Sequence, residues 1–328
     1  MHPLTSSLWQ PSCPLDALQR RAWMLDRIRA FFAKRGVLEV ETPLLSHASG
    51  TDPQLAFFTA DYHAPPSTHT LFLQTSPEFA MKRLLAAGSG SIFQICKAFR
   101  NGEAGRFHNP EFTILEWYRV GFTLADLMDE ITALFDDLFE GTLDLTVRSA
   151  YATVFAQYTG LDALTFSHQA YCEVAQRENL HDAINLCGDN HALWLDFLFS
   201  FCVQPHLGHN ALQLIYDYPA CQSSLARIKA DNSSVTERVE AFIHGIELGN
   251  GFYELAYAPE QNARFEKEIA TRAREKLPPA VKETRLIAAL ASGLPDCAGV
   301  AIGLDRVLML LMKASAIADV VSFDISRA

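Results

Sequence analysis

Residues 91–119 constrain the fold more than any other stretch. SIFQICKAFR (91–100) and EFTILEWYR (111–119) are rich in β-branched and aromatic residues and read as strands. NGEAGRFHNP between them is rich in turn formers. An antiparallel hairpin with a long loop is expected. Side chains alternate along a strand, so Phe112, Ile114, Glu116 and Tyr118 share a face, as do Gln94, Cys96, Ala98 and Arg100. A face carrying a guanidinium, a carboxylate, a phenol and a phenyl ring is a poor core and a good pocket floor. A buried Arg–Glu ion pair accounts for the same residues, and this segment alone leaves both readings open.

Around the hairpin, residues 15–35 read as an amphipathic helix through Leu18, Leu25, Ile28 and Phe32, with Gly36 at its C′ position. A strand Val37–Glu41, stopped by Pro43, is expected next. A helix over 123–140 opens on Thr123 and Asp126, which resemble a capping box, and its acidic face reads as solvated surface. Residues 150–210 look mostly helical. Strands are expected over 212–216, ending in a turn at Asp217-Tyr218-Pro219, and over 236–257. Helices are expected over 259–276 and 284–292, and a strand over 298–304 feeds a helix starting near Asp305. No steady βαβ alternation is present. The fold class is therefore α+β with a mainly antiparallel sheet flanked by helices. No Pro/Gly/Ser-rich linker divides the chain, so a single domain over 1–328 is expected.

Charge and cysteine usage narrow the setting. The net charge is −11, split between +2 for residues 1–120 and −13 for the remainder. That balance argues against gripping a nucleic-acid backbone with most of the surface. The seven cysteines are scattered with no C-x-x-C spacing, which fits reduced thiols. MHPLTSSLWQPSCP lacks the basic and apolar regions of a signal peptide, and no uncharged apolar run reaches 18 residues. A cytoplasmic protein with no membrane partner is expected.

Two further segments carry chemistry. In Glu247-Leu248-Gly249-Asn250-Gly251-Phe252-Tyr253-Glu254, the residues Asn250, Phe252 and Glu254 share a face. Two glycines within a strand signal close approach by a ligand or backbone, or a bulge. Glu240 lies seven residues before Glu247, and two such carboxylates could hold Mg²⁺ or simply be solvated. In Gly299-Val300-Ala301-Ile302-Gly303-Leu304-Asp305-Arg306, small residues precede an arginine at a helix start. That suits a phosphate, or an ordinary tight turn.

Taken together, these segments carry a family resemblance. Phe99-Arg100, His108-Asn109-Pro110-Glu111-Phe112-Thr113 and Glu116-Trp117-Tyr118 resemble motif 2 of class II lysyl-tRNA synthetases. Gly303-Leu304-Asp305-Arg306 resembles motif 3, and the 15–35 helix with Val37–Pro43 resembles motif 1. Thr75-Ser76-Pro77-Glu78 and Glu247–Glu254 resemble pocket segments. More closely, the chain is similar to a short paralogue family, the elongation factor P–(R)-β-lysine ligases. Three features favour that family. Motif 1 begins within the first 40 residues, leaving no room for an N-terminal anticodon-binding domain. The net charge suits an acceptor other than tRNA. Ala301 stands where the synthetases have glycine, and a methyl-scale pocket change gives about 1–3 kcal/mol of discrimination.

The resemblance implies a class II synthetase catalytic fold, a homodimer, ATP and Mg²⁺, with (R)-β-lysine and elongation factor P as substrates. It implies that Arg100 and Arg306 are the catalytic arginines and that Phe112 stacks on adenine. Asn101, Gly102, Glu103, Asn109, Glu247, Leu248 and Gly303 complete the nucleotide site, and Glu240 with Glu247 holds Mg²⁺. Ser76, Pro77, Glu78, Glu116, Tyr118, Asn250, Phe252, Glu254 and Ala301 form the amino-acid pocket. Several carboxylates suit a diamine, since an ammonium 4 Å from a carboxylate gains roughly 4 kcal/mol at an effective dielectric of 20, before desolvation.

One position departs from the family pattern. Motif 2 usually reads Phe-Arg-x-Glu, the acid reading the adenine amino group, but here that place is Gly102 and the acid is Glu103. If Glu103 compensates, Glu103→Ala weakens ATP binding; a titration showing unchanged ATP affinity would dismiss that role.

Overall fold

A computed structural model describes residues 9–328. Residues 1–8, on which the signal-peptide argument partly rests, lie outside the described residues. Two compact units are present: Met1–Gly121 with Ala256–Asp296 and Ala301–Ala328, and Phe122–Leu255 with Cys297–Val300.

The first unit opens with helix α1 (Leu15–Ala33), which buries Met24, Ile28, Phe31 and Phe32. Gly36 turns the chain out at φ +66°. Strand β1 covers only Leu38–Glu39, shorter than expected, because the Val37 amide closes the helix by donating to Phe32 O. Strands β2 (Leu45–Ser46), β3 (Thr59–Ala64) and β4 (Ser67–Leu73) form a small antiparallel sheet in the order β2-β4-β3. Helix α2 (Glu78–Ala86) follows. Strands β5 (Ile92–Phe99) and β6 (Glu111–Val120) form the expected hairpin. Gln94 faces Glu116, Cys96 faces Ile114 and Ala98 faces Phe112. β1 pairs parallel with β5 at Leu38 and Ile92. The Phe32 ring stacks on Phe93 at 4.6 Å and meets Trp117 at 5.3 Å, so α1 covers the apolar side of the hairpin.

The second unit starts with α3 (Leu124–Leu138), whose capping box of Thr123 and Asp126 is formed. Its polar face is not wholly solvated, since Glu130 is buried. Strand β7 (Asp144–Ala150) precedes α4 (Tyr151–Thr159), α5 (His168–Arg177), α6 (Asp182–Cys187), α7 (His191–Leu198) and a π-helical turn, Phe199–Val203. These helices share a core of Tyr151, Phe155, Tyr171, Trp194, Leu198 and Phe199. Strands β8 (Ala211–Pro219), β9 (Val235–Ile243) and β10 (Ile246–Tyr253) are antiparallel neighbours, and β7 pairs parallel with β8. The expected turn at Asp217–Pro219 is absent. Asp217 takes φ +57° at a register shift, and the strand continues through it.

Returning to the first unit, the chain forms α8 (Ala258–Arg274) and α9 (Thr284–Gly293). Strand β11 (Cys297–Gly303) then runs from the second unit into the first and feeds α10 (Leu304–Met312). Among the described residues no helix is long and apolar enough to cross a membrane. All seven cysteines are free thiols.

The two glycines of β10 serve different ends. Gly249 lies at a register shift against β9, whereas a Cβ on Gly251 would sit 2.7 Å from Gly299 O and 2.8 Å from Val300 Cβ. Gly251→Ala is expected to destabilise the protein by about 1–3 kcal/mol, read as a fall of several degrees in the thermal midpoint.

Candidate active site

The loop between β5 and β6 gathers cations around one acid. Arg100 closes β5, its amide donating to Pro110 O at 2.9 Å. Its guanidinium carbon lies 5.2 Å from the Phe112 ring centroid, and its Nη1 is 3.7 Å from Glu103. The Nε of Arg100 is buried without a hydrogen-bond partner, a donor waiting for an anion. Arg306, in the first turn of α10, donates from Nε to Phe107 O at 3.1 Å, and its Nη2 lies 2.7 Å from His108 Nε2. His108 in turn is 3.9 Å from Glu103. Arg100, Glu103, His108 and Arg306 thus form one chain of charged and titratable contacts. Gly102 turns through φ +83°, a conformation most side chains avoid, and the acid follows one position later. Asn109 is fully engaged with backbone: Nδ2 donates to Glu111 O and Oδ1 accepts from the Ile325 amide.

Asp305 fixes this cluster from beneath. Its carboxylate accepts from Arg21 Nη2 of α1 at 2.5 Å and from the Thr113 amide of β6 at 2.7 Å. Arg21 also donates to Val320 O at 3.0 Å. Phe112 and Arg306 each neighbour a residue of this network, so their backbones are held in register.

A second group of acids sits around Glu116. Ser76 Oγ donates to Glu116 Oε2 at 2.7 Å, and Tyr118 Oη donates to Oε1 at 2.6 Å. Ser76 Oγ also accepts from the Glu78 amide at 3.0 Å, where Pro77 precedes α2. Lys82 Nζ lies 2.5 Å from Glu78 Oε1, one helical turn away. Burial, followed by the neighbouring Glu78, pushes the Glu116 carboxyl up to about 8 despite the hydroxyl donors and Lys82. Gln94, across the hairpin, keeps a buried Oε1 without a hydrogen-bond partner. Sequence reasoning passed over α2 and Lys82, and placed Gln94 only as a member of the face it shares with Cys96, Ala98 and Arg100. The Glu78–Lys82 spacing of four was the available signal for the helix.

In the second unit, the register shift between Glu247 and Gly249 decides what the β9–β10 face holds. Glu247 is paired with Phe242, Asn250 with Glu240, and Phe252 with Arg238. Unbroken alternation would set Glu247 on the face opposite Asn250, whereas Leu248, the extra and buried residue, returns it to the same side. Glu240 Oε2 accepts from Tyr218 Oη, and Oε1 accepts from Arg238 Nη2, each at 2.5 Å. Burial first, and then Glu247, push Glu240 up to about 7 against the pull of Arg238. Two neighbouring carboxyl groups offer hard oxygen donors of the kind that suit Mg²⁺, which retains waters beside them. Among the described residues no group of three or more His, Cys, Asp and Glu side chains is poised for a metal. Glu254 is buried, its amide donating to Cys297 O at 3.0 Å. Ala301 and Gly303 lie in the part of β11 that belongs to the first unit.

The model of the class II tRNA synthetases (D, K and N) matches residues 14–327. The chain is 44% identical to the elongation factor P–(R)-β-lysine ligase of Sodalis glossinidius, over 98% of this chain and 99% of the relative. It is 45% identical to the ligase of the same name from Mannheimia succiniciproducens, over 98% of each chain. The Vibrio atlanticus protein of that name is also 45% identical, over 98% of this chain and 99% of its own.

Proposed function

The chain belongs to the class II tRNA synthetase (D, K and N) family, and we propose that it activates (R)-β-lysine with ATP and transfers it to a lysine of elongation factor P. In the first step a carboxylate oxygen of the amino acid attacks the α-phosphorus of ATP, and the bond to pyrophosphate breaks. In the second step a lysine ε-amine attacks the adenylate carbonyl, AMP leaves, and the nitrogen gives up a proton as the amide forms. The first step brings two anions together, so charge neutralisation and positioning supply the catalysis.

Arg100 is assigned to the α-phosphate and the substrate carboxylate, on the strength of its buried unpaired Nε beside Phe112. Phe112 and Arg306 are assigned to the two faces of adenine, with Arg306 also reaching the γ-phosphate. Asn101, Gly102, Glu103, Leu248 and Gly303 are assigned to the nucleotide, and Asn109 to shaping the loop. Glu240 and Glu247 would hold Mg²⁺, which supplies charge neutralisation on the phosphates when bound. Ser76, Pro77, Glu78, Glu116, Tyr118, Asn250, Phe252, Glu254 and Ala301 are assigned to the diamine. One observation carries the choice of a cationic side chain: Glu116 is a buried carboxylate whose two oxygens are aimed by two hydroxyls. The single-domain reading rests on β11, which belongs to both units. We further propose a cytoplasmic homodimer that does not use tRNA as acceptor.

The test is ATP–pyrophosphate exchange with (R)-β-lysine and α-lysine, followed by mass analysis of elongation factor P and a tRNA-charging assay. Exchange with (R)-β-lysine and modified elongation factor P are expected. No exchange with either amino acid would refute the enzyme, and charged tRNA with unmodified elongation factor P would refute the acceptor. Ala301→Gly is expected to shift the preference toward α-lysine by about tenfold or more.

A further inference from the structure

The chain beyond α10 is assigned no role above, yet it holds the β5–β6 loop at two points. At the first, Arg106 Nε donates to Ser315 O at 2.8 Å, and Arg106 O accepts from the Ile317 amide at 2.8 Å. At the second, the Ile325 amide donates to Asn109 Oδ1 at 3.0 Å. The other end of the Asn109 side chain donates to Glu111 O, 2.6 Å away, where β6 begins. Asn109 is buried, so loss of the Ile325 amide would leave its side-chain oxygen without a partner. Between the two clasps lie Phe107 and His108, the residues that meet Arg306.

This segment is anchored in turn to the start of the chain. The Asp324 amide donates to Ser12 Oγ at 2.9 Å, and Ser12 Oγ donates back to Asp324 Oδ1 at 2.9 Å. The Ser12 amide donates to Ser322 O at 2.7 Å. Ser12 stands just ahead of α1, whose Arg21 reaches Val320 O. We propose that residues 315–325 form a strap that positions the nucleotide-binding loop, with Ser12 fixing Asp324 and the Ile325 amide fixing Asn109. Ser12 and Ile325 are positioning residues: each acts on ATP through another residue. The physical gain is order supplied in advance. A loop already held in its binding conformation spares the ligand the entropic cost of ordering it. The proposal rests on the nucleotide site assigned above.

The experiment uses the full chain with ATP as probe. Ile325 is the second residue of a turn closed by the Arg327 amide on Asp324 O at 2.9 Å, a position that accommodates proline well. Ile325→Pro therefore deletes the amide hydrogen while sparing the turn. Calorimetric titration of Ile325→Pro is expected to show ATP bound about tenfold more weakly, the cost of one buried unpaired acceptor. In pyrophosphate exchange its KM for ATP is expected to rise to match, while the KM for (R)-β-lysine stays at the wild-type value. Ile325→Val, which keeps the amide, is expected to behave as wild type. Ser12→Ala is expected to weaken ATP binding about threefold or more, and Ser12→Thr, which keeps the hydroxyl, to restore it. Wild-type ATP affinity in Ile325→Pro overturns the proposal. So does an equal rise in both KM values, which would mark general damage, or an Ile325→Val protein as weak as Ile325→Pro. If circular dichroism shows Ile325→Pro unfolded, the Ser12 variants decide: wild-type ATP affinity in Ser12→Ala, or no recovery in Ser12→Thr, overturns the proposal. A wild-type protein that binds ATP but supports no exchange overturns the functional reading and leaves the strap to be judged by the titration. One that binds no ATP overturns both.

Discussion

A single buried carboxylate, Asp305, joins the three elements that hold Phe112 and Arg306 in place. It accepts from Arg21 of α1 and from the Thr113 backbone of β6 while standing in the first turn of α10. An unpaired charge there would cost several kcal/mol, so the three elements are obliged to meet in one arrangement. Phe112 and Arg306 flank the two ends of this link. Their placement follows from the same contacts that close the core, with no separate device needed to aim them.

Asp305, Glu78, Glu116 and Glu240 follow one rule. Each is answered by a nearby donor, and the kind of donor determines what the acid can still do. Asp305 faces Arg21 and Glu78 faces Lys82, each across an ion pair. Glu116 faces hydroxyls, which orient it without neutralising it. Glu240 lies between the two, with one oxygen on Arg238 and one on Tyr218. Its nearness to Glu247 leaves a region where added positive charge is favourable. Counting carboxylates in the sequence could not separate these cases, because the separation lies in partners brought from distant segments.

The β5–β6 hairpin was legible because its chemistry follows alternation, and the Gln94–Glu116 and Ala98–Phe112 pairings are what an unbroken register requires. The α3 cap was legible because Thr123 and Asp126 interact locally. Alternation failed where the register shifts. One extra residue at Leu248 moves Glu247 to the side of Asn250, and a left-handed Asp217 lets β8 run through what reads as a turn. Bulges are decided by the neighbouring strand, so a strand's own residues disclose little of them. The strand β7 was missed for a similar reason: Leu145 and Val147 are exposed, and the segment earns its place by pairing with β8.

The first unit is assembled from three separate stretches of chain, and this sets an order in time. Arg21 precedes its partner Asp305 by 284 residues. During synthesis α1 therefore emerges long before the carboxylate that fixes it, and the β5–β6 hairpin exists for most of that interval without α10 beside it. The second unit, made almost wholly from one continuous stretch, has its partners at hand far sooner. Contacts so distant in sequence are slow to close. The first unit is thus the last part of the protein to be completed, and a chain interrupted shortly before Asp305 would join its first helix to its hairpin through the Phe32 ring contacts without the buried Arg21–Asp305 pair.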